Sequence, residues 1–373
     1  MWFAAIVNTV RRTIGTAAIL ALVAFCAACS DAGSVVSGAP ALGALTGRVA
    51  AGPPVPSSGC SAPPGAAVSD QRHDVELDGA DRWYLLTTPP PSTPDPTVPG
   101  AATDATLPSV ARPLVVDFHG LAEGAAIHAT TSGFGTVGQH DGFVVAFPDG
   151  TGNPVQWDTS SQSGANPDLQ FVTAMLDQLE STQCIDTSRV YASGFSDGSF
   201  MVSLLACTMS DRFAAIGAVS GLQLPVPCPA TRHVPIVAFH GTADPILYFN
   251  GGIGTDTLNR ALGRGGPAPA DSTTTTTRPT DLHGPGYPAT VQAWAVKDGC
   301  SPRSSDSRIA SRVVLRTYRC PARTGVEFYI ILGGGHSWPG STFSQAISSI
   351  TGYTTFEIDA TTAMWAFFRQ FRL

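Results

Sequence analysis

The chain has 373 residues, of which 13% are charged, and its 28 acidic side chains outnumber 21 basic ones for a formal net charge of −7. With no basic run, that balance excludes a nucleic-acid partner, which needs clustered Lys and Arg. Eight cysteines beside 39 glycines and 30 prolines suit a chain outside the reducing cytosol, and beyond residue 29 no C-x-x-C pair or His cluster has the spacing of a zinc site, so no metal is expected.

In chain order, residues 1–29 read as an export signal: Arg11-Arg12, an apolar run from Ile14 to Phe25, then Cys26-Ala27-Ala28-Cys29. The run is short for a membrane span, and small residues precede Cys29 as in a lipid-modified cysteine. Cys26 stands where a leucine is usual, so lipidation at Cys29, which would be the chain's one membrane attachment, and simple cleavage nearby both stay open. Residues 30–69, rich in Ala, Gly, Pro and Ser, read as a flexible linker, and 70–373 as one catalytic domain. Within it, Val75–Gly79 and Trp83–Leu86 suggest a hairpin, followed by a Pro-rich loop from Pro89 to Ser109. Strands are expected at Leu114–Phe118, Phe143–Phe147, Arg189–Ser193, Ala214–Val219, Ile236–Phe239 and Val326–Leu332, and helices at Asp168–Glu180, Asp197–Met209, Ala289–Asp298 and Glu357–Phe371. Apolar strands alternating with helices predict an α/β fold with a mostly parallel sheet covered on both faces. An insert at about 251–288 contains the Thr273–Thr277 run; its Gly, Pro and Thr content offers little apolar surface, which predicts a mobile lid or rim. No polymer-binding module follows the last helix, which favours a soluble or small ester over a crystalline polymer.

The pentapeptide Gly194-Phe195-Ser196-Asp197-Gly198 lies where a strand pattern gives way to a helix pattern. So many glycines could produce the pattern by chance, but it occurs once and in the strand-to-helix setting of a nucleophile elbow. Ligands of such sheets sit beyond the carboxyl ends of the strands, and three further motifs end strands there. In His119-Gly120-Leu121 the Leu121 amide, with that of Asp197, suits an oxyanion hole, and His119 reads as a packed residue. In His240-Gly-Thr-Ala-Asp244-Pro245, Asp244 can orient a base. In Gly333-Gly334-Gly335-His336-Ser337-Trp338, His336 is that base; of the histidines after Asp244 the other, His283, sits in a Thr-, Pro- and Gly-rich segment with nothing to hold it. Ser196, Asp244 and His336 therefore run nucleophile, acid, base along the chain. Trp157 and Trp338 could line an acyl pocket or simply fill the core.

These motifs, with Pro148-Asp149-Gly150 and Arg189-Val-Tyr, resemble the polyhydroxybutyrate depolymerase-like esterases of the LpqC type, relatives of secreted feruloyl and acetylxylan esterases. The resemblance covers about residue 70 to the end. It implies an α/β-hydrolase fold, serine carboxylesterase activity on feruloyl, acetyl or hydroxyalkanoate esters, no cofactor, and a secreted or envelope-lipoprotein location. Two features depart from the pattern: Asp197 with Gly198-Ser199-Phe200 after the nucleophile, and the insert after Asp244. A serine peptidase would use the same triad, and a non-catalytic binding module would be expected to lack one of its members; all three are present. The six cysteines beyond the signal predict three disulfides. Cys300 and Cys320 bracket a short segment and are expected to pair, Cys207 with Cys228 is favoured for the same reason, and Cys60 and Cys184 are left open.

Overall fold

A computed structural model describes residues 52–63, 65–77, 79–91, 110–160, 166–264 and 280–373. The export signal with Cys29, most of the linker, much of the Pro-rich loop and the Thr273–Thr277 run lie outside the described residues. Ten strands among those described form one sheet: β1 (Gln71–Leu77), β2 (Ala80–Thr87), β3 (Arg112–Phe118), β4 (Val144–Pro148), β5 (Ile185–Phe195), β6 (Ala215–Val219), β7 (Ile236–Gly241), β8 (Ser304–Ala310), β9 (Val313–Tyr318) and β10 (Val326–Ile331). Their spatial order is β1-β2-β4-β3-β5-β6-β7-β10-β9-β8. The middle of the sheet, from β4 to β10, is parallel, and antiparallel pairs close both edges. Central strands such as β4 and β6 are buried along their whole length, which is why they read as continuous apolar runs.

Nine helices among the described residues surround it: α1 (Ala125–Ser132), α2 (Phe134–Asp141), α3 (Pro167–Thr182), α4 (Asp197–Thr208), α5 (Thr255–Ala261), α6 (Tyr287–Lys297), α7 (Thr342–Ala346), α8 (Ser348–Thr351) and α9 (Ala360–Phe368). One face is covered by Phe171 and Met175 of α3, Leu204 and Leu205 of α4 and Trp294 of α6. Phe134 of α2 and Met364, Trp365 and Phe368 of α9 cover the other. This is the α/β-hydrolase fold, with helices on both faces of a mostly parallel sheet.

Helix starts follow local chemistry. At α3, Asn166 accepts from the Asp168 and Leu169 amides and Pro167 supplies a preset φ, a cap that typically stabilises by about 1 kcal/mol. The final helix begins at Ala360, three residues later than Glu357, because the Asp359 side chain caps the Thr362 amide. The sequence did not suggest α1 and α2, which are short, contain Thr and Gly, and are separated by Gly133 at φ 69°. Nor did it suggest the β8–β9 pair, whose outer strand is polar and exposed and is held by Asp306 against Arg316 at 2.8 Å.

Three disulfides join Cys60 to Cys184, Cys207 to Cys228 and Cys300 to Cys320. The first corrects the linker reading for residues 52–63. That stretch is docked on the domain, with the Val55 amide on Asp186 Oδ1 and the Ser57 amide on the Ile185 carbonyl, both at 2.8 Å. His283 also has partners: its ring lies 3.2 Å from Arg316 Nη2 and its amide donates to Asp281 Oδ1.

Candidate active site

Ser196 stands at the corner between β5 and α4 with φ 54° and ψ −112°, a backbone conformation that costs a residue with a side chain on the order of 1–3 kcal/mol. The turn is held from outside: the Ser196 amide donates to the Val219 carbonyl at 2.8 Å, and Ser199 Oγ donates to the Gly194 carbonyl at 2.7 Å. A Cβ on Gly198 would stand 2.1 Å from the Phe118 carbonyl oxygen, so only glycine lets α4 approach β3 this closely. Ser196 Oγ itself has no hydrogen-bond partner among the described residues.

Asp244 follows β7 and His336 follows β10, neighbouring parallel strands. His336 Nδ1 lies 2.8 Å from Asp244 Oδ2, and the other carboxylate oxygen accepts the Ile246 and Leu247 amides, each at 2.8 Å. Both side chains are buried. The glycines before His336 have a steric reason: a Cβ on Gly335 would lie 2.1 Å from the Thr351 carbonyl oxygen. Behind Asp244, His240 Nε2 lies 2.8 Å from the Leu247 carbonyl, and its ring stacks on Tyr287. Burial pushes its pKa down to about 4 despite the nearby Asp244 carboxylate, so this ring is neutral near pH 7 and donates through Nε2.

Leu121 and Asp197 border the same cavity as Ser196 and His336, and their amides have no acceptor among the described residues. His119 beneath them is fully buried; its Nε2 accepts the Gly150 amide at 2.8 Å, which leaves Nδ1 to donate to the Gly120 carbonyl at 2.7 Å. Asp149 accepts the Ala125 amide at 2.8 Å and so caps α1.

A buried charge cluster that the sequence reading missed underlies this loop. Glu123 Oε2 accepts the Gly120 amide at 2.8 Å and lies 3.2 Å from His128 Nδ1, while Oε1 accepts from Thr131. His128 Nε2 lies 3.1 Å from Asp117 Oδ1, which also accepts from Ser193 Oγ at 2.6 Å. Burial alone would neutralise this imidazole, but the Asp117 and Glu123 carboxylates push its pKa up to about 10, so it stays charged. Burial likewise opposes charge on Glu123, and His128 overcomes it and holds that pKa low.

Trp157 and Trp338 belong to the core. Trp157 is 5% exposed and donates through Nε1 to the His119 carbonyl; Trp338 is 1% exposed and donates to Thr361 Oγ1. An indole that finds both cover and an acceptor inside has no need of a ligand. The cavity beside Ser196, about 230 Å³, is lined instead by aliphatic side chains from α1, the segment after Asp244, the insert and α7–α8, together with Phe195, Phe200 and Phe343. Among the described residues no group of three or more His, Cys, Asp or Glu is disposed to hold a metal ion, and no helix is long and apolar enough to cross a membrane.

Residues 98–255 match the esterase PHB depolymerase family. Over 255 residues the chain is 29% identical to NocK of Nocardia uniformis subsp. tsuyamanensis, whose name is that of an esterase, covering 62% of this chain and 67% of that one. It is 31% identical over 151 residues to feruloyl esterase B of Piromyces equi, covering 38% of this chain and 28% of the relative. The chain is similar to the PHB-depolymerase-like esterases. It is thus grouped with carboxylic ester hydrolases. Among solved structures, acetyl xylan esterase from Aspergillus awamori aligns with TM-score 0.49 at 14% identity, over 75% of this chain and 98% of that one.

Proposed function

We propose that this PHB-depolymerase-like esterase is a serine carboxylesterase in which Ser196 is the nucleophile, His336 the general base and Asp244 the residue that orients and charges-balances the imidazole. The observation that carries the reading is the 2.8 Å contact between His336 Nδ1 and Asp244 Oδ2, made by two buried side chains of which His336 borders the cavity that also receives Ser196. With Nδ1–H given to the carboxylate, Nε2 keeps its lone pair for the serine proton.

Ser196 Oγ attacks the ester carbonyl carbon as its proton passes to His336 Nε2. The carbonyl oxygen becomes an oxyanion, received by the Leu121 and Asp197 amides; a donor in such a position typically supplies about 3 kcal/mol of transition-state stabilisation. Collapse breaks the bond to the alcohol, which leaves with the proton from Nε2. Water then attacks the acyl-enzyme, gives its proton to Nε2, and the acid departs as Ser196 Oγ is reprotonated. The absence of a hydrogen bond from Ser196 Oγ fits a site that tightens when an ester enters.

Feruloyl, acetyl and hydroxyalkanoate esters are within reach of this chemistry. Three disulfides together with the N-terminal signal favour an exported protein, with Cys29 as its lipid anchor where lipidation occurs. Hydrolysis of p-nitrophenyl acetate by wild type and Ser196→Ala tests the assignment: activity falls to background while thermal unfolding is little changed. Retained turnover in the variant overturns it.

A further inference from the structure

The cavity beside Ser196 has walls from separate parts of the chain that agree in chemistry. Ile127 comes from α1, Leu247 from the segment after Asp244, Ile253 and Leu258 from the insert, and Ile347 and Ile350 from α7–α8. These are branched aliphatic side chains, and the rings of Phe195, Phe200 and Phe343 complete an apolar lining. Polar side chains that border the cavity have their hydrogen bonds inside the protein. Glu123 is held by the Gly120 amide, His128 and Thr131. Ser344 Oγ accepts the Trp338 amide, and Thr351 Oγ1 donates to the Ile347 carbonyl. Asp197 Oδ2 accepts the Trp157 amide. The groups left to a guest are those that work on the ester itself: Ser196 Oγ, the His336 ring and the Leu121 and Asp197 amides. A phenolic or sugar hydroxyl drawn into this space would lose its water without finding a partner, which counts against aromatic acids with ring hydroxyls and against carbohydrate.

The insert adds a second observation. Its helix α5 has no buried residue, yet Leu258, Ala261 and Leu262 border the cavity, and Ile253 just before it is 57% exposed. Leu258, Ala261 and Leu262 are half-buried, and apolar side chains left partly uncovered beside a nucleophile gain the rest of their cover from what enters the cavity. The expectation that the insert lacks apolar surface is thereby corrected for residues 251–264.

We infer that the ester taken by this site carries a flexible aliphatic chain of several carbons next to the ester group, bound between α7–α8 and α5, with the 251–264 segment as the wall that closes on it. This rests on the serine carboxylesterase reading and deepens it by naming the substrate class.

The test uses the full chain and two ester series. In the first, p-nitrophenyl acetate, butyrate, hexanoate and octanoate lengthen the acid; in the second, ethyl, butyl and hexyl acetate lengthen the alcohol. In one series kcat/KM rises about fourfold for each added methylene up to hexanoate or hexyl, the rate equivalent of about 0.8 kcal/mol per buried methylene, and which series rises assigns the chain to acid or alcohol. Where the acid series rises, methyl hexanoate is turned over faster than methyl ferulate. Leu258→Glu lowers the ratio of the six-carbon to the two-carbon member of the rising series more than tenfold, by placing a charge where the chain would lie. Two flat or falling series, a rising acid series with methyl ferulate as the better methyl ester, or an unchanged ratio in Leu258→Glu overturns the inference. Ser196→Ala separates the two levels: if it abolishes acetate hydrolysis while the series are flat, only the substrate class is wrong, and if it does not, the catalytic reading falls and this inference with it.

Discussion

Two segments that border the cavity beside Ser196 are built differently. From Gly120 to Thr131 the backbone is tied to buried charge: Glu123 holds the Gly120 amide, His128 sits between Glu123 and Asp117, and Asp117 reaches Ser193 in β5, the strand that leads into Ser196. From Gly251 to Arg264 the ties are a few backbone bonds at its start, such as the Gly254 amide to the Ile246 carbonyl at 2.8 Å, and α5 has no buried residue. In the proposed mechanism the first segment carries an amide that meets a developing oxyanion, so preorganisation is worth its desolvation cost there. The second meets only the bulk of the substrate, where a wall that adapts is sufficient. Substitutions on the two sides should therefore differ in kind, those near the chemistry slowing all esters alike and those on the rim changing which ester is preferred.

The largest effect is expected for Asp244→Asn. An amide there leaves the imidazole in the wrong tautomer, and in a comparable Ser-His-Asp site that change costs about ten-thousandfold in kcat; acetate and hexanoate esters should suffer equally, as steady-state rates on both will show. Loss restricted to the longer ester would place Asp244 on the selective side instead.

A smaller loss, about a hundredfold in kcat with KM little moved, is expected for His128→Gln, because the Glu123 and Asp117 carboxylates then face each other without the charge that held Gly120 and Leu121 in place. His128 is a positioning residue, and the division between kcat and KM is what distinguishes that role from general destabilisation. A variant with a lower melting temperature but unchanged kcat would remove the cluster from the catalytic account.

The smallest effect concerns stability. Burial raises the Asp197 carboxyl from 3.8 to about 6, so between those values the folded protein holds a proton that the unfolded chain has released, and stability falls as pH rises through that window. Asp197→Asn keeps the amide and the acceptor for Trp157 while removing the charge. It should melt higher than wild type at pH 7, by on the order of 1 kcal/mol after allowing for partial exposure, with the gap closing as the pH is lowered to about 4. A gap independent of pH would mean that the carboxylate carries no such penalty.

How much of this could be read beforehand depended on whether a feature was local. β3 to β7 and β10 were legible because a buried parallel strand is an unbroken apolar run, and the elbow and the Asp244 and His336 motifs were legible because each is a short string at a strand end. The charge cluster was not, since Asp117, Glu123 and His128 belong to no motif. One signal was available: an aspartate inside the otherwise apolar run Leu114–Phe118 has to find a partner. The rim helix was missed because its apolar side chains point at a cavity and not at a core, so neither composition nor period marks them. Trp157 and Trp338 misled for the opposite reason, standing near the right motifs while their N–H groups are satisfied within the protein.

The central claim is that Ser196 is the activated nucleophile, and covalent labelling tests it most directly. Incubation with a fluorophosphonate, followed by intact-mass measurement and peptide mapping, should give one adduct per chain on the peptide containing Ser196, formed in step with the loss of esterase activity and absent in Ser196→Ala. An adduct on another residue that accounts for the inactivation, or full inactivation with Ser196 unmodified, would contradict the account.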